Sequence, residues 1–204
     1  MRASAHIAHV QNVGTNGTPV LTMLPSPTVR IVICGNADGG DDGVALSAAA
    51  TVLPSLPSQV GSCLEVRRRQ QLRVDDLIDL RRDGRCLIID AVSGITPGDV
   101  VIMSLEELAT THLFVPRSSH ELPIELVLGL TAIIREQSID GTFVGLGGHR
   151  WGYGTPISRC ARTGMSAFRA AIVEQLALLT GVQSGVPAGD KVGITAGDKA
   201  GVSG

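Results

Sequence analysis

The stretch Ile31-Val-Ile-Cys-Gly-Asn-Ala-Asp-Gly-Gly-Asp-Asp-Gly-Val44 joins a strand-like run to a glycine-rich turn that carries two adjacent carboxylates. The β-branched residues at its start are typical of a buried strand, and a helix-like segment follows the turn directly. Ligands of open α/β folds bind at the carboxyl ends of the strands, which is where this turn places Asp41 and Asp42. The turn has neither a lysine nor a Gly-x-Gly-x-x-Gly pattern. It therefore favours a metal ion or proton transfer over phosphate binding.

The composition limits the class of protein. Hydrophobic residues make up 44% of the 204 residues and aromatic residues only 2%, so the core must be built from aliphatic side chains. The formal net charge of -2 gives no support to nucleic-acid binding through bulk charge. No apolar run approaches the roughly 18 residues of a membrane span, and no secretory signal is visible. The four cysteines lie far apart, which favours buried free thiols in a reducing cytoplasm over a disulfide or zinc site.

Strand-like and helix-like segments alternate through the middle of the chain. The predicted strands are 29–34, 62–67, 86–92, 99–103 and 142–146. The predicted helices are 43–52, 74–81, 123–137 and 164–179. Such alternation predicts a three-layer α/β/α domain in which helices cover both faces of a mostly parallel sheet.

The two ends of the chain differ in composition from this domain, which we assign to residues 29–181. Residues 1–28 are polar and rich in turn formers, and they predict a flexible leader. Residues 182–204 contain the repeat Gly189-Asp-Lys-Val-Gly193 and Gly197-Asp-Lys-Ala-Gly201 and have few large apolar side chains. Because such a segment cannot bury a core, it predicts a disordered, glycine-rich tail.

Three polar side chains on separate segments are candidate metal ligands. Asp42 follows the first predicted strand, Asp90 ends the run Leu87-Ile-Ile-Asp90, and His120 directly precedes a predicted helix. In a parallel sheet, all three can reach the same edge. Two carboxylates and one imidazole suit a divalent ion with open coordination positions. Structural roles are the alternative, since either acid of the pair can cap the next helix, Asp90 can serve a turn, and His120 can start its helix.

Two further segments have open interpretations. The run Arg67-Arg-Arg69 is either a solvated strand end or a contact for an acidic partner. The segment His149-Arg-Trp151, with Tyr153 after it, contains the only Trp and the only Tyr of the chain. It is either the rim of a peptide-binding cleft or a hydrophobic lid.

Several of these segments together resemble the hydrogenase maturation proteases. They are Gly35-Asn36, Asp41-Asp-Gly43, Leu87-Ile-Ile-Asp-Ala-Val92 and Ser119-His120, in the family's order. Trp151-Gly-Tyr-Gly154 with Pro156-Ile-Ser158 is also similar to the family's last glycine- and serine-containing segment. The resemblance implies a phosphorylase/hydrolase-like fold with a twisted, mostly parallel sheet. It also implies a cytoplasmic endopeptidase that removes the C-terminal extension of a [NiFe] hydrogenase large subunit.

The resemblance further implies that Asp42, Asp90 and His120 are the metal-binding positions. The divalent metal would be nickel presented by the substrate, because nickel already inserted into the precursor signals that it is ready for cleavage. A carboxylate, either Asp42 or Asp41, would act as general base on water. Polarisation of a carbonyl or a water by the metal is equally compatible, so aspartic-type and metal-dependent routes both stay open.

The expected partner is therefore the precursor of a [NiFe] hydrogenase large subunit, with no nucleic acid, no membrane and a monomeric protein. A second interpretation is a non-catalytic, metal-dependent binding or chaperone module for a metalloenzyme precursor, which would use the same residues. A nucleotide-binding α/β protein is disfavoured, because anionic phosphates would meet Asp41 and Asp42 in the first turn.

Overall fold

The computed structural model describes residues 29–111, 114 and 122–181. Five strands form a single sheet: β1 (Val29–Cys34), β2 (Leu64–Arg69), β3 (Arg85–Val92), β4 (Val100–Ser104) and β5 (Gly141–Gly147). Their order is β2-β1-β3-β5-β4. All neighbouring pairs are parallel except β4 and β5, which are antiparallel. The predicted leader, 1–28, and the predicted tail, 182–204, lie outside the described residues.

Helices cover both faces of this sheet. They are α1 (Val44–Val52), α2 (Ser58–Gly61), α3 (Leu105–Thr110), α4 (Ile124–Arg135) and α5 (Arg159–Thr180). One apolar cluster joins the sheet to α1 and α5, and a second joins it to α3 and α4. The predicted three-layer α/β/α architecture with a mostly parallel sheet is confirmed. No helix within the described ranges is long and apolar enough to cross a membrane.

The central strands β1 and β3 are mostly apolar because both of their faces are covered, and their charged residues are Arg30 in β1 and Arg85 and Asp90 in β3. Ile31 and Ile33 of β1 belong to the cluster under α1 and α5, whereas Val32 and Cys34 belong to the cluster under α3 and α4. All four side chains are fully buried. The same alternation holds along β3, so both strands run through the middle of the domain. Because they are parallel, their carboxyl ends lie at the same edge of the sheet.

The predicted helix over residues 74–81 is wrong. Only Val74–Asp76 forms a single 3-10 turn, and no α-helix follows it. The guanidinium of Arg135, which ends α4, accounts for this difference because it donates hydrogen bonds to the carbonyls of Leu77 and Ile78. Those carbonyls would otherwise accept the N–H groups of a continuing helix.

An ion-paired network holds this segment against the edge of the sheet. Arg30 is only 5% exposed and pairs with Glu65 Oε2 at 2.8 Å and with Asp79 Oδ1 at 2.6 Å. Arg67 pairs with the same two acids, at 2.8 Å and 2.9 Å.

A further ion pair involves the predicted arginine run, because the Nε of Arg69 lies 2.6 Å from Asp76 Oδ1. Of the predicted arginine run, two members are thus bound internally, and Arg68 between them is exposed.

Two further elements differ from the sequence-based prediction. The structure adds α3, which begins at Ser104, whose side chain accepts the N–H of Glu107. It also starts α5 at Arg159 rather than at residue 164, because the Ser158 side chain accepts the N–H of Ala161 and caps the helix earlier.

Candidate functional site

The turn after β1 brings Asp42 back against the end of that strand. The N–H of Asn36 donates to Asp42 Oδ2 at 2.9 Å, and the Asn36 side chain accepts the N–H of Asp38 at 3.1 Å. Gly35 has φ +129, and a Cβ there would lie 2.0 Å from the carbonyl oxygen of Asp42. A Cβ at Gly39 would come within 2.9 Å of the Asp42 Cβ. The glycines of the turn therefore allow the close approach that positions the Asp42 carboxylate, which is half-buried.

Asp90 reaches the same edge of the sheet on the neighbouring strand. Ile33 of β1 pairs with Ile89 of β3, so the chain arrives at Asp90 one residue beyond that pair. The side chain is half-buried, and its Oδ1 accepts the N–H of Ala91 at 2.7 Å. The short turn Asp41–Gly43 packs against β3. Asp42 and Asp90 therefore lie at the carboxyl ends of adjacent parallel strands.

The third predicted ligand, His120, lies outside the described residues. Asp90 lies on the same face of β3 as Ile88 and Val92, which pack in the cluster under α3 and α4. Within the residues that the structure describes, no three His, Cys, Asp or Glu side chains form a group that could hold a metal ion. The three-residue metal site stays a prediction.

Asp41 occupies a different environment from its neighbour Asp42. It is fully buried, and its two carboxylate oxygens accept backbone N–H groups from a distant segment. Oδ2 accepts those of His149 at 2.8 Å and Arg150 at 2.9 Å, and Oδ1 accepts that of Ser158 at 2.6 Å. The N–H of Asp41 in turn donates to the carbonyl of Arg150 at 2.8 Å. The residue ties the acidic turn to the segment that follows β5.

These contacts also set the ionisation state of Asp41. Burial alone would raise its pKa, but the hydrogen bonds from the backbone of His149, Ser158 and Arg150, together with the Ser158 hydroxyl, outweigh burial. The pKa of Asp41 is therefore lowered below its ordinary value, because backbone donors stabilise the charged form. Its carboxylate is ionised at neutral pH.

The segment from Gly148 to Ser158, which we call the rim loop, is docked on the acidic turn along its length. Two isolated β-bridges join Gly39 to Thr155 and Gly40 to Trp151. At Gly40, with φ +68, a Cβ would lie 2.5 Å from Thr155 Oγ1, so only glycine allows this approach. Two further backbone donors fix the loop: Gly154 N–H to the Asp38 carbonyl at 2.7 Å and Gly148 N–H to the Val92 carbonyl at 2.8 Å.

The rim loop divides its two large aromatic residues between the core and the solvent. Trp151 is half-buried and packs against the cluster under α1 and α5. Tyr153 is 83% exposed and lies between Gly152 and Gly154, which both have positive φ. His149 and Arg150 are exposed as well. The loop therefore presents an aromatic ring, a guanidinium and an imidazole to the solvent.

Comparisons with solved structures show what the fold is similar to. The E. coli hydrogenase maturating endopeptidase HybD superposes with a TM-score of 0.58 at 17% identity, over 72% of this chain and 91% of HybD. The [NiFe] hydrogenase maturation protease HybD from Thermococcus kodakarensis gives 0.51 at 22% identity, over 72% and 97%. The maturation protease HycI from Thermococcus kodakarensis KOD1 gives 0.52 at 19%, over 74% and 94%. No family model matches the chain, and no curated protein does.

The chain therefore has the α/β fold of the hydrogenase maturation proteases. The similarity covers 91% to 97% of the length of those three proteins. This agrees with the fold that the sequence resemblance implies.

Proposed function

We propose that the protein is an endopeptidase of the hydrogenase maturation protease family. It removes the C-terminal extension from the large subunit of a [NiFe] hydrogenase after nickel insertion. The observation that carries this proposal is the placement of Asp42 and Asp90 at the carboxyl ends of β1 and β3, in a sheet with the fold of maturation endopeptidases. Ligand and catalytic groups of α/β proteins are concentrated at such an edge.

The precursor's nickel is the substrate group that the site recognises. Asp42, Asp90 and His120 supply two carboxylates and one imidazole. Nickel is one of the divalent ions that such a ligand set can bind. Docking of the metal converts a loose encounter into an oriented complex, in which the scissile peptide lies beside the strand ends. A precursor without nickel lacks this anchor and is not cut.

Asp42 is the better candidate for the general base. Both oxygens of Asp41 accept backbone hydrogen bonds, and the side chain is fully buried. Asp42 is half-buried at the strand edge, where a water can reach it. In an aspartic-type route, the carboxylate takes a proton from the water as its oxygen attacks the peptide carbonyl. In a metal-dependent route, the nickel polarises that carbonyl or the water.

The proposal also includes a cytoplasmic location and a monomeric state. All four cysteines fall within the described residues and form no disulfide there, which agrees with a reducing compartment. The three proposed ligands belong to one chain, so a single copy can form the site.

The direct test is cleavage of the precursor. The protein is mixed with nickel-loaded large-subunit precursor and, in parallel, with the same precursor purified without nickel. Mass spectrometry then follows the release of the C-terminal peptide. Release from the loaded form only is the expected result. Stable binding of the loaded precursor without any loss of mass would overturn the proposal that the protein is an endopeptidase. It would support a non-catalytic binding module instead.

A further inference from the structure

We propose that the rim loop is a preformed recognition surface for the polypeptide substrate, on which Tyr153 contacts the precursor chain beside the scissile bond. Asp41 is the positioning residue that holds this surface in place. The inference rests on the proposed function, and it adds to that function a contact site outside the metal-binding positions.

The first argument is the proximity of the loop to the proposed metal ligands. Gly39 lies between the two, because its Cα is close to the Asp42 side chain and its backbone pairs with Thr155 of the loop. At its other end, the loop is bonded through Gly148 to the carbonyl of Val92, two residues beyond Asp90. The rim loop therefore contacts the acidic turn through Gly39 and the end of β3 through Val92.

The second argument is that the loop is fixed before substrate arrives. Three of its backbone N–H groups donate to the buried carboxylate of Asp41, at 2.8, 2.9 and 2.6 Å. Breaking such bonds would leave buried polar groups unsatisfied, which is costly. A loop already ordered in this way loses little conformational entropy on binding, which is the usual benefit of a preorganised surface.

The third argument is the chemistry that the loop exposes. Only 2% of the chain is aromatic, yet the single tyrosine is 83% exposed at the tip of this loop. Tyrosine is enriched at protein interfaces because its ring gives a large apolar contact at low entropic cost. Nothing in the packing of the described residues requires Tyr153 at this position. The occupant that fits is an extended peptide segment with an apolar side chain against the ring.

Tyr153→Ala and Tyr153→Phe test the contact, with Leu178→Ala as control because Leu178 is also exposed, at 64%, but lies near the C-terminal end of α5. Cleavage of nickel-loaded precursor is measured at several precursor concentrations. Tyr153→Ala should raise KM about tenfold with little change in kcat, as truncation of an interface aromatic does. Tyr153→Phe, which keeps the ring, and Leu178→Ala should both behave like the unmodified protein. An unchanged KM for Tyr153→Ala would overturn the proposal.

Asp41→Asn tests the positioning role, because it keeps the shape of the side chain and removes the charge. Amide hydrogen exchange should accelerate in residues 149–158 and KM should rise, while circular dichroism shows the fold intact. Faster exchange with an unchanged KM would mean that the loop does not recognise substrate.

The failure of this inference is distinguishable from failure of the proposed function. If the unmodified protein releases no peptide, the endopeptidase assignment fails by itself. Binding of the loaded precursor to immobilised protein then tests the rim loop. About tenfold weaker binding by Tyr153→Ala would support the contact, and unchanged binding would exclude it.

Discussion

Asp41 Oδ1 accepts a hydrogen bond of 2.6 Å from the backbone N–H of Ser158, 117 residues further along the chain. Ser158 in turn caps α5 through its side chain, which accepts the N–H of Ala161 at 3.2 Å. One buried carboxylate thus connects the acidic turn after β1 to the start of the longest helix. The position of the rim loop depends on this contact, because the loop ends at Ser158 and Asp41 holds that residue against the acidic turn.

The first prediction concerns the contribution of Asp41 to stability. Asp41→Ala leaves the N–H groups of His149, Arg150 and Ser158 without their acceptor, and each such buried donor is costly. We expect the free energy of unfolding at pH 7 to fall by at least about 2 kcal/mol. Urea unfolding monitored by circular dichroism measures this change. Asp38→Ala is the matched control, since Asp38 is exposed in the same turn and should change stability by less than about 0.5 kcal/mol.

The same contact predicts how stability depends on pH. The pKa of Asp41 in the folded protein lies below its ordinary value of 3.8, so the unfolded state binds this proton more readily. The stabilisation is therefore complete above the unfolded pKa and is lost as the pH falls through the lower, folded pKa. The difference between the unmodified protein and Asp41→Ala should shrink as the pH falls below 3.8. A difference that stays constant down to pH 2 would contradict the assigned ionisation state.

The second prediction concerns Gly35. A Cβ at this position would lie 2.0 Å from the carbonyl oxygen of Asp42, at a positive φ that other residues rarely adopt. Gly35→Ala must move Asp42, and misplacement of a catalytic group by about 1 Å costs about 100-fold in rate. We therefore expect the rate of precursor cleavage to fall by about 100-fold. Gly129→Ala is the control, because Gly129 lies within α4 with open space around it, and this change should stabilise the helix by about 0.5–1 kcal/mol. Equal activity of both variants would exclude the assigned role of the turn.

The third prediction concerns the ion pairs at the buried Arg30. Arg30→Met leaves Glu65 and Asp79 without one of their two cations, although the methionine keeps most of the volume. Because the two acids are partly exposed and keep Arg67, the loss of stability should be smaller than the about 3–5 kcal/mol of a fully buried pair, yet larger than the loss in Arg81→Met, which breaks the exposed pair with Asp83. Urea unfolding of the two variants measures the difference. Similar losses in both would show that burial adds nothing to the network.

The fourth prediction concerns the thiols. Burial raises the pKa of Cys86 to about 12, and Cys34 is equally enclosed, whereas Cys160 is exposed on α5. A thiol reagent at pH 8 should therefore modify Cys160 in the native protein and reach Cys34 and Cys86 only after unfolding. Peptide mapping by mass spectrometry identifies the labelled residues. Early labelling of Cys86 would contradict the packing of β3.

The sequence predicts the central strands well because their burial on two faces requires the apolar runs Ile31–Cys34 and Cys86–Ile89. Val29–Cys34 has the predicted bounds, and Arg85–Val92 differs by one residue. The placement of Asp42 and Asp90 at one edge follows from that parallel arrangement. The helix α3 was missed although Ser104 and Glu107 have the spacing of an N-terminal capping box.

Other features have no signal in the local sequence. The anchoring role of Asp41 depends on backbone N–H groups more than 100 residues away, and backbone donors are the same for every residue type except proline. Residues 74–81 have a helical pattern, but Arg135 binds the carbonyls of Leu77 and Ile78. In both cases a long-range contact decides the local structure, which is why sequence alone could not predict it.

The fifth prediction concerns the proposed ligands themselves. Asp42→Asn and Asp90→Asn keep the size of the side chains but weaken metal binding, and His120→Gln removes the imidazole. Each variant should abolish cleavage of nickel-loaded precursor while its circular dichroism spectrum stays unchanged. Asp38→Asn, in the same turn as Asp42, is the control and should retain activity. Normal processing by all three ligand variants would exclude the assigned site.

X-ray absorption at the nickel edge tests the central claim most directly, because it reports the ligands of the metal in the complex. The spectrum of nickel-loaded precursor is recorded alone, with the unmodified protein and with the double variant Asp42→Asn/Asp90→Asn. The account predicts additional oxygen and nitrogen neighbours around nickel with the unmodified protein, and fewer oxygen neighbours with the double variant, which keeps His120. An unchanged nickel environment in a stable complex with the unmodified protein would contradict it.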